Sequence, residues 1–228
     1  MTKLTFFILT TLVFMLSRNS AVQKNNISTS DSVTAKNIAL ITKTENKLKT
    51  TEIACDTVYK NKGYKITITT FDTTISDYDT APNSIFALHK ELHAQDSILF
   101  VDSIHTMFQE VQFADFNGDN VKDILVQNIS DVRSNQTYYL YLVDTTHDRL
   151  TKIKGFEEIK NPNYVSKYNL IDNYVMSGKD RTSFYKIKGD TVKDFDIVIY
   201  DDHLDDGTYD RDYKNAIKKI LRAEKNNR

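Results

Sequence analysis

Apolar and polar residues alternate over short runs through most of this chain, and that period of two limits the folds it can adopt. The clearest run, residues 64–70, reads YKITITT, with apolar side chains at 64, 66 and 68. Because successive residues of a strand face opposite sides of a sheet, such a run predicts a strand with one buried face. Further strand-like runs are short and rich in β-branched and aromatic residues: Ser97–Ile104, Phe108–Ala114, Ile124–Gln127, Thr137–Val143, Leu150–Ile159, Ser183–Lys188 and Phe195–Tyr200. Turns rich in Asn, Asp and Gly separate them, and this spacing predicts a mainly β protein, an antiparallel β-sandwich or barrel-like sheet, rather than a βαβ fold.

Three segments carry more specific predictions. Val58–Phe71 is predicted to be a β-hairpin that turns at residues 61–63. Ser84–Gln95 has apolar residues at spacings that fit both a strand and a helix, and we favour the strand. Residues 212–225, from Asp212 to Lys225, are predicted to form an amphipathic C-terminal helix. Four side chains share its apolar face: Tyr213, Ala216, Ile217 and Ile220.

The first 50 residues predict export. Residues 1–22 have the features of a signal peptide, since Lys3 precedes an apolar stretch, Leu4–Leu16, that is too short to span a bilayer. An uncleaved N-terminal anchor is the alternative. Residues 23–50 are rich in Asn, Ser, Thr and Lys and are predicted to be a flexible linker. We therefore expect a single β-rich domain at 51–228, no membrane span in the mature chain, and a periplasmic or extracellular location.

The composition excludes several functional classes. The 30 basic and 31 acidic residues give a net charge of −1, which argues against a nucleic-acid-binding protein. A single cysteine excludes an internal disulfide framework and a CxxC zinc site. The 6 glycines are too scattered for a Walker loop or a GxGxxG turn. Cys55 is predicted to be a buried small residue, with an intermolecular disulfide as the alternative. His89 and His93, four residues apart, lack a metalloprotease motif and are not expected to bind zinc.

One motif predicts a metal site. Residues 113–126 read FADFNGDNVKDILV, and oxygen-bearing side chains occur at relative positions 1, 3, 5 and 9 of a loop between two apolar runs. The predicted ligands are the side chains of Asp115, Asn117, Asp119 and Asp123 and the backbone carbonyl of Val121. Ca²⁺ takes about 6–8 oxygen ligands, and Mg²⁺ fits less well because it prefers fewer protein ligands and more water. The alternative is a metal-free turn, because Asp and Asn favour turns on their own.

A second acidic segment, 201–210, reads DDHLDDGTYD. Asp202, Asp206 and Asp210 have the spacing of a calcium loop, but Leu204 stands where a third oxygen ligand is needed. We interpret this segment as a solvated turn that leads into the basic C-terminal helix, and a second calcium site there is not expected.

The loop at 115–126 resembles the calcium loop of FG-GAP/VCBS-type repeats, as found in integrin-type propellers. A propeller needs several copies, and this sequence contains one good copy. The better match is a group of small secreted bacterial proteins in which one such loop is followed by a Tyr-rich strand, here residues 138–142, and an Asn-Pro segment, here Asn161–Tyr164. These residues are similar to the periplasmic calcium-binding β-sandwich proteins that act as lysozyme inhibitors or as immunity proteins.

The resemblance implies a function and a contact loop. It implies a β-sandwich with one bound Ca²⁺, no catalytic activity, and a late loop that blocks the cleft of a lysozyme-like enzyme. The counterpart of that loop in this chain is Ser177, Gly178, Lys179, Asp180 and Arg181, followed by Tyr185. We therefore expect an exported, calcium-binding, non-catalytic module that binds a protein partner. The alternatives are a cell-envelope hydrolase, for which no pair of carboxylates stands out, and a structural protein of the envelope.

Overall fold

Twelve strands dominate the described part of the chain. A computed structural model describes residues 48–60, 62–71, 81–92, 95–204 and 206–226, so the predicted signal peptide and nearly all of the predicted linker lie outside the described residues. The strands are β1 (Lys49–Ala54), β2 (Tyr64–Thr70), β3 (Ser84–Leu92), β4 (Gln95–Ile104), β5 (Val111–Ala114), β6 (Asp123–Ser130), β7 (Gln136–Asp144), β8 (Arg149–Lys152), β9 (Pro162–Val165), β10 (Leu170–Val175), β11 (Asp180–Lys188) and β12 (Thr191–Asp201). The helices are α1 (Asp56–Tyr59) and α2 (Thr208–Asn226), with 3₁₀ turns at Phe156–Glu158 and Ser166–Tyr168.

The strands form three sheets of four, each of which follows the order of the chain. Sheet I contains β1 to β4, sheet II contains β5 to β8, and sheet III contains β9 to β12. Neighbouring strands in each sheet pair antiparallel. An antiparallel pair needs no crossover helix, which allows consecutive strands to be neighbours in each sheet. The prediction of a mainly β, antiparallel, sandwich-like protein with a C-terminal helix is confirmed.

Three apolar layers show that the sheets are stacked, with sheet II in the middle. The layer between sheets I and II contains Ile66, Ile68, Phe86 and Leu88 from sheet I and Ile124, Val126, Tyr141 and Val143 from sheet II. The layer between sheets II and III contains Leu125, Tyr138 and Leu140 from sheet II and Ile171, Tyr185, Ile187 and Val192 from sheet III. The outer face of sheet III packs Leu170, Phe184 and Ile199 against Ala216, Ile217 and Ile220 of α2. Sheet II is therefore covered on both faces, and the first six residues of β6 are all buried.

Residues 64–70 form strand β2, as their alternation predicts. The prediction that residues 58–60 pair with this strand in a hairpin is wrong. Val58 and Tyr59 belong to the helical turn α1 and not to a strand, and β2 pairs instead with β1 and β3. The Tyr59 ring stacks on the Tyr64 ring at a centroid distance of 3.9 Å, and both side chains are buried, which favours the helical turn over a second hairpin strand. The first strand begins at Lys49, two residues before the expected start of the domain.

Two further differences concern the second half of the chain. The predicted strand Leu150–Ile159 ends at Lys152, because Gly155 has a φ of 79° and starts a 3₁₀ turn that buries Phe156. The predicted C-terminal helix is confirmed, but it begins at Thr208, four residues earlier than expected. None of the described helices is long and apolar enough to cross a membrane.

Candidate functional site

The predicted metal loop connects β5 to β6 at one end of sheet II. Two of its residues have left-handed backbone conformations, Gly118 with a φ of 79° and Asn120 with a φ of 68°. The Tyr164 hydroxyl, which comes from β9 in sheet III, lies 2.6 Å from the point where a Cβ atom on Gly118 would be. Residue 118 therefore has to be glycine for two reasons, its backbone conformation and the tyrosine that covers it.

Asp115 organises the turn through its carboxylate. One oxygen, Oδ1, accepts the backbone N–H groups of Asn117 at 3.1 Å and of Gly118 at 2.6 Å. The other, Oδ2, accepts the backbone N–H of Asn120 at 3.0 Å. A carboxylate that accepts local backbone N–H groups in this way forms an Asx turn, which bends the chain without help from regular secondary structure.

Asn117, which is half-buried, and Asp119, which is exposed, lie at the tip of the loop. The Asn117 side-chain amide donates to Asp119 Oδ2 at 2.8 Å, and its oxygen accepts the backbone N–H of Asp119 at 2.9 Å. Asp119 Oδ1 accepts the backbone N–H of Val121 at 2.7 Å. These short-range bonds place the oxygens of 117 and 119 near one another at the surface.

Asp123 differs from the other acidic residues of the loop because it is completely buried. Its Oδ2 accepts the backbone N–H of Phe116 at 2.9 Å, and its Oδ1 accepts the backbone N–H of Val143 in β7 at 3.1 Å. Burial raises the pKa of this carboxyl to about 7, although the two N–H bonds work in the opposite direction. The nearby charges of Asp119 and Asp115 raise the pKa further. Asp123 therefore joins the loop to the central sheet.

The oxygen atoms of the loop are ligands that suit a hard cation, but the acidic side chains do not converge on a common position for an ion. The hydrogen-bond partners of Asp115, Asp119 and Asp123 among the described residues are amide N–H groups, and no basic side chain is among them. Asp115 Oδ1 already accepts two N–H groups, but every other carboxylate oxygen of these three residues keeps a further lone pair for a metal ion or water. However, no group of three or more His, Cys, Asp or Glu side chains in the described ranges is gathered closely enough to hold a metal ion.

The second acidic segment forms turns. Asp202 Oδ1 accepts the backbone N–H of Leu204 at 3.3 Å, and Asp206 Oδ1 accepts the backbone N–H of Thr208 at 2.8 Å. Asp210 lies in the first turn of α2, where a negative charge is favourable because of the helix dipole. These contacts are those expected of a solvated turn that starts a helix.

The predicted contact loop is the turn between β10 and β11. Ser177, Gly178 and Lys179 form the turn, and Asp180 and Arg181 are the first residues of β11. The turn is closed by the backbone N–H of Ser177, which donates to Asp180 Oδ1 at 2.7 Å. The ammonium group of Lys179 lies 4.2 Å from the ring centroid of Tyr200, a cation–π contact that the sequence does not indicate.

Tyr185 does not belong to this turn. It packs in the apolar layer between sheets II and III, whereas Arg181 on the same strand is exposed. Four residues along a strand correspond to about 13 Å, so Tyr185 lies well away from Arg181, in a part of β11 that sheet II covers. The residue that joins Lys179 and Arg181 at the surface is instead Tyr200, which pairs with Arg181 across the sheet and is 51% exposed.

Two other candidate residues have structural roles. Cys55 is fully buried, and burial raises the pKa of its thiol to about 12, so it is neither exposed nor activated in the folded chain. The prediction of a buried cysteine is confirmed. His89 lies on β3 with its Nε2 atom 2.9 Å from the Thr67 hydroxyl. His93 lies outside the described residues.

No protein family, curated protein or solved structure was found to match this chain. The resemblance to calcium-loop β-sandwich proteins therefore stays a prediction from the sequence.

Proposed function

We propose that this protein is an exported, non-catalytic binding module whose β5–β6 loop holds one Ca²⁺ ion. The proposed ligands are the side chains of Asp115, Asn117, Asp119 and Asp123, with the carbonyl of Val121. Bound there, the ion would supply positive charge to a loop of carboxylates. It would fix the loop against sheet II, since Asp123 already connects the loop to β7.

One observation carries the calcium proposal. Asp123 is a fully buried carboxylate in a loop with two more carboxylates, and its described partners are backbone N–H groups alone. A buried carboxylate is costly unless it is paired or bound to a metal ion. Because no basic side chain contacts these three carboxylates among the described residues, a hard divalent cation is the partner that their chemistry favours.

Calcium titration of the metal-free protein tests this proposal directly. We expect one bound Ca²⁺ per chain, measured by isothermal titration calorimetry. Asp119→Asn removes one charge and keeps an oxygen that can accept the Val121 N–H, so we expect it to weaken Ca²⁺ binding at least tenfold, or about 1.4 kcal/mol.

The matched control is Asp202→Asn, since Asp202 accepts a backbone N–H in the second acidic segment. It should bind Ca²⁺ like the unaltered chain. Absence of binding, or equal binding by Asp119→Asn, would contradict the proposed site.

We further propose that the β10–β11 turn contacts a protein partner, of which a lysozyme-like enzyme is the class implied by the resemblance. Lys179 and Arg181 are exposed around Tyr200, and Met176 and Val198 are 39% and 45% exposed. Exposed tyrosine, methionine and arginine side chains are enriched in protein interfaces. Positive charge on this turn would favour a partner with a carboxylate-lined cleft.

An inhibition assay against purified lysozyme-like enzymes tests the partner. We expect inhibition that is lost in Arg181→Glu and retained in Lys218→Glu, which reverses an exposed charge on α2. Absence of inhibition would reject this class of partner. It would not bear on the calcium site, which the calcium titration tests separately.

A further inference from the structure

The edge of sheet III formed by β12 is open over its second half. In the described part of the chain, the outer edge of β12 is contacted by a single bridge between Lys154 and Thr191, at the start of the strand. The strand then passes Asp196, which has a φ of 53°, and continues to Asp201. Val198 and Tyr200 in this half are among the most exposed large side chains of sheet III. An edge strand presents unpaired N–H and C=O groups that can pair with another chain.

Helix α2 runs beside this edge in the opposite direction to β12. Ala216 packs with Ile199 near the end of the strand, and Glu224 near the end of the helix binds Lys193 near the start of the strand, with a distance of 3.0 Å. A groove of about 410 Å³ separates strand residues 197–200 from the helix. Its helical wall contains Asp212, Asn215, Ala216 and Lys219, which share one face of the helix because they are spaced by three, four and seven residues.

This helical wall is complementary to itself. Asp212 stands at its N-terminal end, Lys219 at its C-terminal end, and the small Ala216 lies between them. If a second copy is placed antiparallel, each Asp212 faces the Lys219 of the other copy. Among the described residues, Lys219 is exposed and forms no ion pair, and the only ion pair of Asp212 is with its neighbour Arg211. A two-fold arrangement of this kind uses the same patch on both subunits.

We propose that a second copy of this chain occupies the groove. The second halves of the two β12 strands pair antiparallel across a two-fold axis near Val198. The two sheets III thereby become one continuous sheet of eight strands. On one face of it the two α2 helices lie antiparallel, with Asp212 of each facing Lys219 of the other. This arrangement gives hydrogen-bond partners to the unpaired N–H and C=O groups of β12 and an ion-pair partner to both Asp212 and Lys219. An unrelated peptide strand would pair with β12 but would leave Asp212 and Lys219 without these partners. The proposed dimer does not depend on the proposed calcium site, but it uses Val198 and Tyr200 of the surface proposed for a protein partner, so the dimer and that partner would compete for this part of β12.

Charge reversal provides a sharp test by sedimentation velocity over about 1–100 μM protein. We expect the unaltered chain to form dimers. Asp212→Lys and Lys219→Asp should each be monomeric, or dissociate at least tenfold more readily, because each places like charges opposite one another twice. An equimolar mixture of the two variants should form dimers again, since in the mixed pair a lysine at each contact position meets an aspartate of the other chain.

The controls are Asp210→Lys and Lys218→Asp, which make the same changes at neighbouring exposed positions outside the groove and should dimerise normally. Circular dichroism and melting temperature should show that all variants fold. A chain that is monomeric throughout this range would overturn the proposal. So would dimers that persist in both single variants, or a mixture that fails to restore them.

Discussion

Gly118 is the residue at which the geometry of the β5–β6 loop is most restricted. Its positive φ and the Tyr164 hydroxyl both act on the same position, one through the backbone and one through the space available. The proposed ligands can be identified from the sequence, because a single local segment supplies all of them. The contact of Gly118 with Tyr164 cannot be predicted from the sequence, because Tyr164 comes from another sheet.

We expect Gly118→Ala to lower the free energy of unfolding by about 1–3 kcal/mol, since the added methyl group meets the Tyr164 hydroxyl and residue 118 has a positive φ. Urea denaturation measures the change. Tyr164→Phe should recover part of the loss in the double variant.

Gly178→Ala is the matched control for this substitution. Gly178 lies in an exposed turn with no atom within 4 Å of its added Cβ, so the free energy of unfolding should change little. Equal losses for both glycine variants would show that the packing of Tyr164 against the β5–β6 loop is unimportant.

Residue roles within the predicted site also depend on distant contacts. The spacing predicts that Asp123 is a ligand like the others, yet it is buried and bonded to Val143, twenty residues further along the chain. Tyr185 follows the contact loop closely in sequence, but it lies in the core because sheet II covers its part of β11. A sequence pattern identifies which side chains share one face of a strand. It does not show which part of that face another sheet covers, and so it does not show which of these side chains are buried.

At the scale of elements, α2 is held on sheet III by apolar packing, by hydrogen bonds of Tyr209 and Tyr213 to the sheet, and by one acidic residue. Glu224 binds three lysines of the β11–β12 hairpin, Lys186 at 3.0 Å, Lys188 at 3.2 Å and Lys193 at 3.0 Å. Hydrogen bonds from Lys193, Lys186 and Lys188 lower the pKa of Glu224 to about 2. The apolar face of this helix is predictable from its periodicity, whereas in the sequence Glu224 looks like any other charged surface residue.

We expect Glu224→Gln to lower the free energy of unfolding by about 2 kcal/mol at neutral pH, because three lysines lose their shared counter-charge. The pKa of Glu224 is lower in the folded chain than the ordinary value of 4.5. Its stabilising contribution is therefore complete above that value and is lost as the pH falls toward 2.

Urea denaturation at several pH values measures this effect. The difference between the unaltered chain and Glu224→Gln should shrink between pH 4.5 and about 2. Glu158→Gln, which changes an exposed glutamate in the 3₁₀ turn, should have little effect at any pH. A difference for Glu224→Gln that does not vary with pH would contradict this role.

Among the strands, those with alternation or with runs of β-branched and aromatic residues are predictable from the sequence, and those without either signal are not. The apolar residues of β2 recur at every second position, whereas β4 and β7 are predictable from consecutive apolar residues rich in β-branched and aromatic side chains. β9 and β10 contain Asn, Asp and Pro and give no such signal, although Leu170, Ile171 and Val175 of β10 are buried. They form strands because they pair within sheet III and pack between sheet II and α2, which are tertiary contacts.

At the scale of the whole molecule, the three sheets and α2 form successive layers. Sheet II is the central layer, and the β5–β6 loop is attached to it through Asp123 and to sheet III through the contact of Tyr164 with Gly118. An ion bound in this loop would therefore stabilise the packing of two sheets and not only a surface turn. The class of fold follows from the period of two, whereas the number of sheets and their order in the stack do not.

The melting temperature with and without calcium tests whether the β5–β6 loop holds an ion that stabilises the fold. A ligand that binds the folded state alone stabilises it by about 2.7 kcal/mol at a hundred times its dissociation constant. For a domain of this size we predict that saturating Ca²⁺ raises the melting temperature by about 5–10 °C over the same protein in a chelator. Asp119→Asn should lose most of that increase, and Asp202→Asn should keep it. Equal melting temperatures in Ca²⁺ and in chelator would contradict a calcium site in this loop.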